Sequence, residues 1–358
     1  MLRPADNLRR VKSYHPPLAG RSGLRLDFNE NTAGCSPRVI ERLRAITADD
    51  LSRYPEREPA EKLAADWLGI TAAQVLLTNG VDEAIHLLCE TYLQPGDEAI
   101  VVIPTFGMYE VYASATGATV VTVQADADFR LPLASVLTRI SARTRLIAIA
   151  NPNNPTGAVA GAADLLTIAE RAPDAAILVD EAYFDFYGQS LVGEIASREN
   201  LFIARTFSKA YGMAGLRIGV LAGPAAQMDS IRRIASPYNV NAVALACLPA
   251  ALGDRDYVTS YVAAVRRGRA QLEAELGALG IQYWPSEANF VLAQFGAAHE
   301  ALVAAVRRRG ILVRDRHRDP GCAGCVRITV GAEAHTAALL AVLRECVAES
   351  RRSAEVSA

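Results

Sequence analysis

Short apolar runs alternate with amphipathic stretches along the central part of the chain. An apolar run of roughly four to eight residues between turn-forming residues predicts a buried strand, and an apolar stripe at helical spacing predicts a surface helix. Helices are predicted at 37–46, 59–68 and 82–92, and strands at 75–78, 98–103, 118–123, 145–150, 176–180, 201–204 and 218–222. Because strands this apolar are typical of parallel strands buried on both faces, we expect one α/β layer system with helices covering the sheet.

The composition changes at Ser236-Pro-Tyr-Asn-Val-Asn241, which we interpret as a hinge. Beyond it, helices are predicted at 241–252, 256–279, 298–309 and 334–347, and strands at 289–293, 311–314 and 326–330. This mixture predicts a compact α+β unit. We therefore expect an N-terminal arm over 1–30, a large domain over 31–236 and a small C-terminal domain over 237–358, with residues 349–358 frayed.

Composition narrows the class of protein. Of the 358 residues, 51% are apolar and 21% are charged, and the net charge is −2, which is ordinary for a globular protein and gives no support for nucleic-acid binding. No apolar run approaches the ~18–20 residues that a membrane helix needs. The polar, arginine-rich N-terminus lacks the apolar core of a secretory signal, so we expect a cytoplasmic protein.

The cysteines and histidines do not form a metal-binding pattern. Cys322 and Cys325 are the one C-x-x-C pair among six scattered cysteines, and neither a second pair nor a nearby histidine completes a zinc site. The five histidines are isolated along the sequence. We therefore expect reduced, structural cysteines and no metal.

The most informative stretch is Arg205-Thr-Phe-Ser-Lys-Ala-Tyr-Gly-Met-Ala-Gly-Leu-Arg-Ile-Gly219, which follows the apolar run 201–204. It places Lys209 between hydroxyl side chains and puts Arg217 eight residues further on. A lysine in such a loop suits an amine that carries a carbonyl cofactor as a Schiff base, because the hydroxyls and the arginine can hold a phosphate of that cofactor. The alternative is a solvated loop lysine.

A second candidate is the start of the helix predicted at 82–92. Strand 75–78, the turn Asn79-Gly80 and the acidic pair Asp82-Glu83 form a strand–turn–helix pattern. The free N–H groups at Val81 and Asp82 would make this helix end an anion site. The alternative is an ordinary capped helix.

Two further stretches end apolar strands. Asn151-Pro-Asn-Asn-Pro-Thr-Gly157 is a stiff loop just past strand 145–150, at the edge where open α/β sheets bind ligands. Asp180 ends a strand so apolar that its carboxylate needs a cationic or hydrogen-bonding partner. A pyridinium nitrogen would serve, and Tyr183 could reach the same ring. The alternative is a structural salt bridge.

Two arginines, Arg314 and Arg327, lie on or at the ends of neighbouring predicted strands. If they converge, their planar guanidinium groups would clamp a carboxylate or a phosphate. The alternative is a pair of surface ion pairs. Tyr54, in the turn Tyr54-Pro55, is an aromatic residue in a loop, and incidental packing is its alternative role.

Taken together, Asn-Pro-Thr-Gly, Asp-x-x-Tyr, Ser-Lys and an arginine eight residues after the lysine resemble the pyridoxal-phosphate-dependent aminotransferases of fold type I. Further stretches resemble one branch of that family, the histidinol-phosphate aminotransferases: Leu26-Asp-Phe-Asn-Glu-Asn31, Arg53-Tyr-Pro55, Asp82-Glu83, Pro104-Thr-Phe-Gly-Met-Tyr109, Pro237-Tyr-Asn-Val-Asn241, Glu287-Ala-Asn-Phe-Val291 and Val326-Arg-Ile-Thr-Val-Gly331. The resemblance implies a large domain with a mainly parallel seven-stranded sheet and a smaller α+β C-terminal domain.

The resemblance also implies roles around the cofactor ring, pyridoxal 5′-phosphate. Lys209 would form the Schiff base and then shuttle a proton. Asp180 would keep the ring nitrogen protonated, Tyr183 and Asn154 would hydrogen-bond the 3′ oxygen, and Phe106 would stack on the ring.

For the cofactor phosphate, the resemblance implies a cradle made of the helix start at Val81 and Asp82 together with Thr206, Ser208 and Arg217. Lys209, desolvated beside cationic Arg217, should have a lowered pKa, which favours the nucleophilic neutral amine.

For the substrates, the resemblance implies that Arg327 binds the α-carboxylate of glutamate. Arg314 and Arg327, helped by Tyr14, would bind the phosphate of histidinol phosphate. Tyr54 would reach the cofactor phosphate of a neighbouring subunit, so the active sites would be shared in a homodimer. Amino donor and keto acceptor would react in turn, with ping-pong kinetics.

Two positions depart from the family pattern: Thr32 stands where a proline is usual, and Val81 is bulkier than the usual residue. If Val81 contacts the phosphate only through its N–H, its bulk does not disturb the cofactor site. The departures leave other substrates open. Two alternatives use the same fold: an aromatic amino-acid aminotransferase and a threonine-phosphate decarboxylase. A non-catalytic pyridoxal-phosphate-binding module is disfavoured, because Lys209, Asp180 and Tyr183 are all present.

Overall fold

The structure, a computed structural model, describes residues 2–11 and 20–357. Its strands are β1 Leu24–Arg25, β2 Val75–Thr78, β3 Glu98–Ile103, β4 Thr119–Gln124, β5 Thr144–Ala150, β6 Ala176–Asp180, β7 Leu201–Thr206, β8 Gly219–Ala222, β9 Gln282–Trp284, β10 Phe290–Gln294, β11 Ile311–Leu312, β12 Arg314–Asp315 and β13 Cys325–Thr329. Its α-helices are α1 Pro37–Arg44, α2 Ala48–Ser52, α3 Glu58–Leu68, α4 Val81–Tyr92, α5 Met108–Ala115, α6 Leu133–Arg139, α7 Ala162–Arg171, α8 Phe184–Tyr187, α9 Ala225–Arg232, α10 Ala242–Leu252, α11 Arg255–Ala278, α12 His299–Arg308 and α13 Glu333–Ser357.

The large sheet contains seven strands within the described residues, in the order β2-β8-β7-β6-β5-β3-β4. Strand β8 is antiparallel to both of its neighbours, and the other pairs are parallel. The expected mainly parallel sheet is therefore confirmed. Because β5, β6 and β7 run in the same direction, their carboxyl ends meet at one edge, where Asp180 lies beside Ala150 and Ala204. Ligands bind at this edge in open α/β sheets.

Both faces of the sheet are buried, which explains the near-continuous apolar runs. Along β6, Ile177 and Val179 pack into one core, and Ala176 and Leu178 pack into a second core on the opposite face. Successive side chains of a strand point to opposite faces, so a strand covered on both sides needs an apolar residue at every position.

The small sheet is antiparallel, with the strand order β12-β13-β10-β9. The prediction of one strand over 311–314 is wrong, because this segment divides at Val313. Ile311–Leu312 pairs with the N-terminal strand β1, and Arg314–Asp315 pairs with β13. The two halves bond to different partners, so one continuous ladder cannot form.

The N-terminal segment after β1 is fastened to β13. The Thr329 N–H donates to the carbonyl of Leu26 at 3.0 Å, and the Asn29 N–H donates to Thr329 Oγ1 at 3.1 Å. Thr32, which departs from the family pattern, accepts a 2.8 Å hydrogen bond from the Ala332 N–H. This segment therefore lies against the small sheet.

The C-terminal segment is helical to Ser357, whereas fraying is expected from residue 349. The segment contains neither glycine nor proline, so nothing in its sequence stops the helix. Helix α10 packs against α1 and α3. The division into arm, large domain and small domain stays a prediction. Among the helices of the described residues, none is both long and apolar enough to cross a membrane.

Candidate active site

A cavity of about 230 Å³ opens at the carboxyl edge of the large sheet. Its walls contain most of the residues that the sequence nominated for the cofactor: Val81, Asp82, Phe106, Asn154, Asp180, Tyr183, Thr206, Ser208, Lys209 and Arg217. They come from positions as far apart as 81 and 217, and the parallel strand order brings them together. Their individual roles remain proposals.

Asp180 ends β6 and is buried at the bottom of this cavity. Its Oδ2 accepts a hydrogen bond from the Tyr109 hydroxyl at 2.5 Å, and its Oδ1 accepts one from the Ala182 N–H at 3.0 Å. Burial raises the pKa of this carboxyl group to about 6, although both hydrogen bonds act to lower it. No cationic side chain of the described residues forms an ion pair with Asp180, so the salt-bridge alternative has no support.

Lys209 lines the same cavity, and its Nζ donates to the carbonyl of Phe28 at 3.0 Å. Burial lowers the pKa of this amine to about 8, and Arg327 is the next largest cause; Arg217 contributes less. The pKa of Lys209 is lowered, as expected. Desolvation and Arg327 lower it more than Arg217 does, although Arg217 is the arginine that the sequence indicated. Lys209 is thus not a solvated loop lysine.

The polar groups around Tyr183 form one network. Asn29 Nδ2 donates to the Tyr183 hydroxyl at 2.8 Å, and burial raises the pKa of that hydroxyl. Asn154 accepts a hydrogen bond from the Arg327 guanidinium, which also donates to the carbonyl of Asp27 at 2.6 Å. Tyr183 and Asn154 therefore line the cavity, and Arg327 lies behind Asn154 in the wall of the adjoining cavity.

The opposite side is formed by the start of α4 and the lysine loop. Gly80 precedes α4 with φ 76°, and a Cβ there would lie 2.4 Å from Arg217 Nη2, so the chain requires glycine. Arg217 forms a 3.0 Å ion pair with Asp82. The side chain of Val81 is buried in the core, which leaves its N–H at the helix start. A helix N-terminus with an adjacent guanidinium group suits a phosphate.

A smaller cavity adjoins the first one and shares Phe28, Phe106 and Asn154 with it. Arg314 and Arg327 both line it and lie directly opposite each other on β12 and β13. Directly opposite residues of an antiparallel pair project from the same face. The two arginines therefore converge on one cavity. This is the arrangement that a clamp for a carboxylate or a phosphate requires.

Tyr54 does not line the main cavity. Its side chain is 77% exposed, and its ring stacks on that of Tyr238 with 4.2 Å between the centroids. A side chain this exposed is accessible to a neighbouring subunit. The contact itself stays a prediction. Tyr14 lies outside the described residues.

Several residues of the two cavities were given no role from the sequence, among them Phe28, Glu30, Tyr109 and Arg316. Tyr109 belongs to the stretch Pro104–Tyr109, which resembles the family. The sequence spacing did not indicate which residue Tyr109 contacts. Phe28 contributes a main-chain carbonyl, which no side-chain pattern can indicate. Arg316 is the third arginine of the smaller cavity and pairs with Asp319.

Cys322 and Cys325 are buried free thiols that pack beside Phe129 and Trp284. Within the described part of the chain, no group of three or more histidine, cysteine, aspartate or glutamate side chains could hold a metal ion.

The family model for "Aminotransferase class I and II" matches residues 21–345. The chain therefore belongs to this family. The match contains every expected cavity residue, because the stretch from Val81 to Arg327 lies within it.

Within the family, the chain is similar to the histidinol-phosphate aminotransferase of Jannaschia sp. (strain CCS1), with 37% identity over 97% of this chain and 99% of that protein. It is also similar to the histidinol-phosphate aminotransferase of Roseobacter denitrificans, with 38% identity over 86% and 87%. These relatives confirm the branch expected from the sequence.

A crystal structure of histidinol-phosphate aminotransferase from Sinorhizobium meliloti in complex with pyridoxal-5'-phosphate has the same fold, with a TM-score of 0.88 over 98% of each chain at 23% identity. The expected fold type is therefore confirmed.

Proposed function

We propose that this protein is a pyridoxal-phosphate-dependent aminotransferase that interconverts imidazole acetol phosphate plus glutamate with histidinol phosphate plus 2-oxoglutarate. One observation carries the proposal. A lysine of lowered pKa and a buried carboxylate line one cavity, and a pair of arginines lines the adjoining one. Family membership and the named relatives support the same reaction.

The described residues fit pyridoxal phosphate. Asp180 is a buried carboxylate with hydrogen-bond donors but no cation among the described side chains, which suits a protonated pyridine nitrogen. Gly80 leaves room beside Arg217 at the start of α4, which suits a phosphate. Thr206 and Ser208 supply hydroxyls to the same wall. When bound, this cofactor supplies an aldehyde for the amino group and a ring that accepts electron density.

The protein's own side chains would bind and orient the cofactor and transfer protons. Lys209 Nζ, with a pKa of about 8, exists partly as the neutral amine near neutral pH, so it can accept a proton from the substrate Cα and return it. Asp180 would keep the ring nitrogen protonated. Tyr183 and Asn154 would hydrogen-bond the ring oxygen, and Phe106 would pack on the ring face.

The arginines would receive both substrates. Arg327, held by Asn154 and the Asp27 carbonyl, would bind the α-carboxylate of glutamate. Arg314, on the opposite strand, would join it to bind the phosphate of histidinol phosphate. A planar guanidinium group can bind either oxyanion through two parallel hydrogen bonds, so one site serves two anions in turn.

The proposal includes a homodimer in which Tyr54 serves the partner's cofactor phosphate. Support comes from the exposed apolar surface around it, where Leu51 is 62% exposed, Tyr54 77% and Tyr238 55%. Exposed aromatic residues of this density suit an interface. A cytoplasmic location likewise stays a prediction.

A donor panel tests the proposed reaction. Purified protein is assayed with 2-oxoglutarate as acceptor and with histidinol phosphate, phenylalanine or threonine phosphate as the other substrate. We expect glutamate formation with the highest kcat/KM for histidinol phosphate. A higher kcat/KM for phenylalanine would identify an aromatic aminotransferase. Carbon dioxide released from threonine phosphate without a keto acid would identify a decarboxylase.

A further inference from the structure

We propose that Tyr109 is a positioning residue that fixes the Asp180 carboxylate in the orientation that meets the cofactor ring nitrogen. The proposal rests on the proposed function, because it concerns the same cavity. The hydroxyl of Tyr109 acts through Asp180 and is not itself expected to touch the reacting atoms.

The geometry leaves the carboxylate little freedom. Tyr109 donates to Oδ2 from α5, and the Ala182 N–H donates to Oδ1 from the loop after β6, so each oxygen is held by a different element. Rotation about the last side-chain bond of Asp180 would break both hydrogen bonds. Because a carboxylate has about four lone-pair sites, acceptor capacity remains for a group in the cavity.

Tyr109 is itself immobilised. Its side chain is 1% exposed and belongs to the core that covers one face of the sheet. Its ring meets that of Phe106 edge to face, with 5.9 Å between the centroids. The start of α5 therefore places Phe106 in the cavity wall, where it would pack on the ring, and directs the Tyr109 hydroxyl to the Asp180 carboxylate.

The proton in this pair belongs to the tyrosine. Burial, and then the charge of Asp180, raise the pKa of Tyr109 well above its ordinary value, so its hydroxyl stays protonated and donates. The same hydrogen bond lowers the pKa of Asp180 against the effect of burial. Without the hydroxyl, the ionised carboxylate is less favoured, and the positive ring nitrogen loses part of its partner.

The first test compares Tyr109→Phe with Tyr92→Phe. Tyr92 is a matched control, because its hydroxyl bonds Gln227 at 2.9 Å outside the cavity. Two quantities are measured: the dissociation constant of pyridoxal phosphate from each apoprotein, and the 15N chemical shift of the ring nitrogen between pH 6 and pH 9. For Tyr109→Phe we expect binding weakened by about 10- to 100-fold, the range for a hydrogen bond to a charged group. The 15N shift should move toward the unprotonated value at the high end of the pH range.

A second pair of variants separates positioning from a structural role. In the Asp180→Asn background, adding Tyr109→Phe should change the dissociation constant by less than about two-fold, because the coupling acts through the carboxylate. An equal loss in both backgrounds would overturn the proposal, as would a Tyr109→Phe protein with the 15N shift of the unmodified protein. If the unmodified protein does not bind pyridoxal phosphate, the proposed function is wrong. If the unmodified protein binds it but Tyr109→Phe behaves like the unmodified protein, only the proposal for Tyr109 is wrong.

Discussion

At the scale of single residues, the amine of Lys209 is the group that we propose reacts with the aldehyde of the cofactor. Its pKa is lowered from 10.5 to about 8, first by burial and then by Arg327. A lowered pKa means that the neutral, nucleophilic amine becomes populated at lower pH than for a free lysine. The attachment of pyridoxal phosphate to the apoprotein should therefore accelerate as pH rises and level off above about pH 8.

This pH dependence is measured as the second-order rate of reconstitution between pH 6 and pH 10. N-acetyl-lysine in the same buffers serves as the control and corrects for protonation of the cofactor itself. A rate that keeps rising tenfold per pH unit up to pH 10 would show an unperturbed lysine.

A second residue-scale prediction concerns Arg314. The substitution Arg314→Ala should lower kcat/KM for histidinol phosphate by about 30-fold or more, since removal of one partner from a desolvated charge pair costs about 2–5 kcal/mol. The loss with glutamate should be smaller, because Arg327 remains. Steady-state kinetics with each donor measure the difference. Arg344→Ala, which removes an exposed arginine paired with Glu275, is the control. Equal losses with both donors would argue against the phosphate role.

The residues that share the cavity were predictable from the sequence where they are close together along the chain. The hydroxyls, Lys209 and Arg217 share one loop, and the structure puts them on one wall. The partner of Tyr109 was not predictable, because Asp180 is 71 residues away and the contact depends on strand order. The same holds for Arg327, whose partners Asn154 and Asp27 are distant in sequence.

At the scale of elements, the turn before α4 depends on a glycine. Gly80 has φ 76°, and a side chain there would meet Arg217. The substitution Gly80→Ala should strain the backbone by about 1–3 kcal/mol and displace the guanidinium group, so the affinity for pyridoxal phosphate should fall. Fluorescence titration of the apoprotein measures the affinity, and thermal unfolding measures the stability.

Gly69→Ala is the matched control for this element. Gly69 ends α3 with φ 73°, and a Cβ there would meet nothing within 4 Å. Because Gly69 is in the left-handed helical region, which alanine can adopt at a cost of about 1–2 kcal/mol, this variant should lose no more stability than Gly80→Ala and keep its cofactor affinity. If both variants bind pyridoxal phosphate equally well, the start of α4 is not the phosphate site.

Element types were predictable from apolar runs, whereas pairing was not. Runs such as 176–180 and 201–204 became buried strands because they are covered on both faces. The run 311–314 looked equally continuous, yet it divides at Val313 because β1, nearly 300 residues earlier, captures Ile311–Leu312. Pairing with a distant strand leaves no mark on the apolar pattern of the segment itself.

At the scale of the whole molecule, the central prediction is a shared active site. If Tyr54 serves the partner's cavity, Tyr54→Ala and Lys209→Ala homodimers should both be impaired. When the two variants are mixed, unfolded and refolded together, about half of the dimers contain one subunit of each variant. Each such dimer has one complete site out of two, so the mixture should recover up to about a quarter of the normal activity. Activity after mixing is the measurement, and separately refolded samples are the control. No recovery beyond the controls would contradict a shared site.

The most direct test of the account asks whether pyridoxal phosphate bonds to Lys209. Protein incubated with the cofactor is reduced with borohydride, digested and analysed by mass spectrometry, with Lys209→Ala treated in parallel. We predict one reduced adduct, on Lys209, and a visible absorbance that borohydride bleaches and that the variant lacks. An adduct on another lysine, or an unchanged reducible absorbance in Lys209→Ala, would contradict the account.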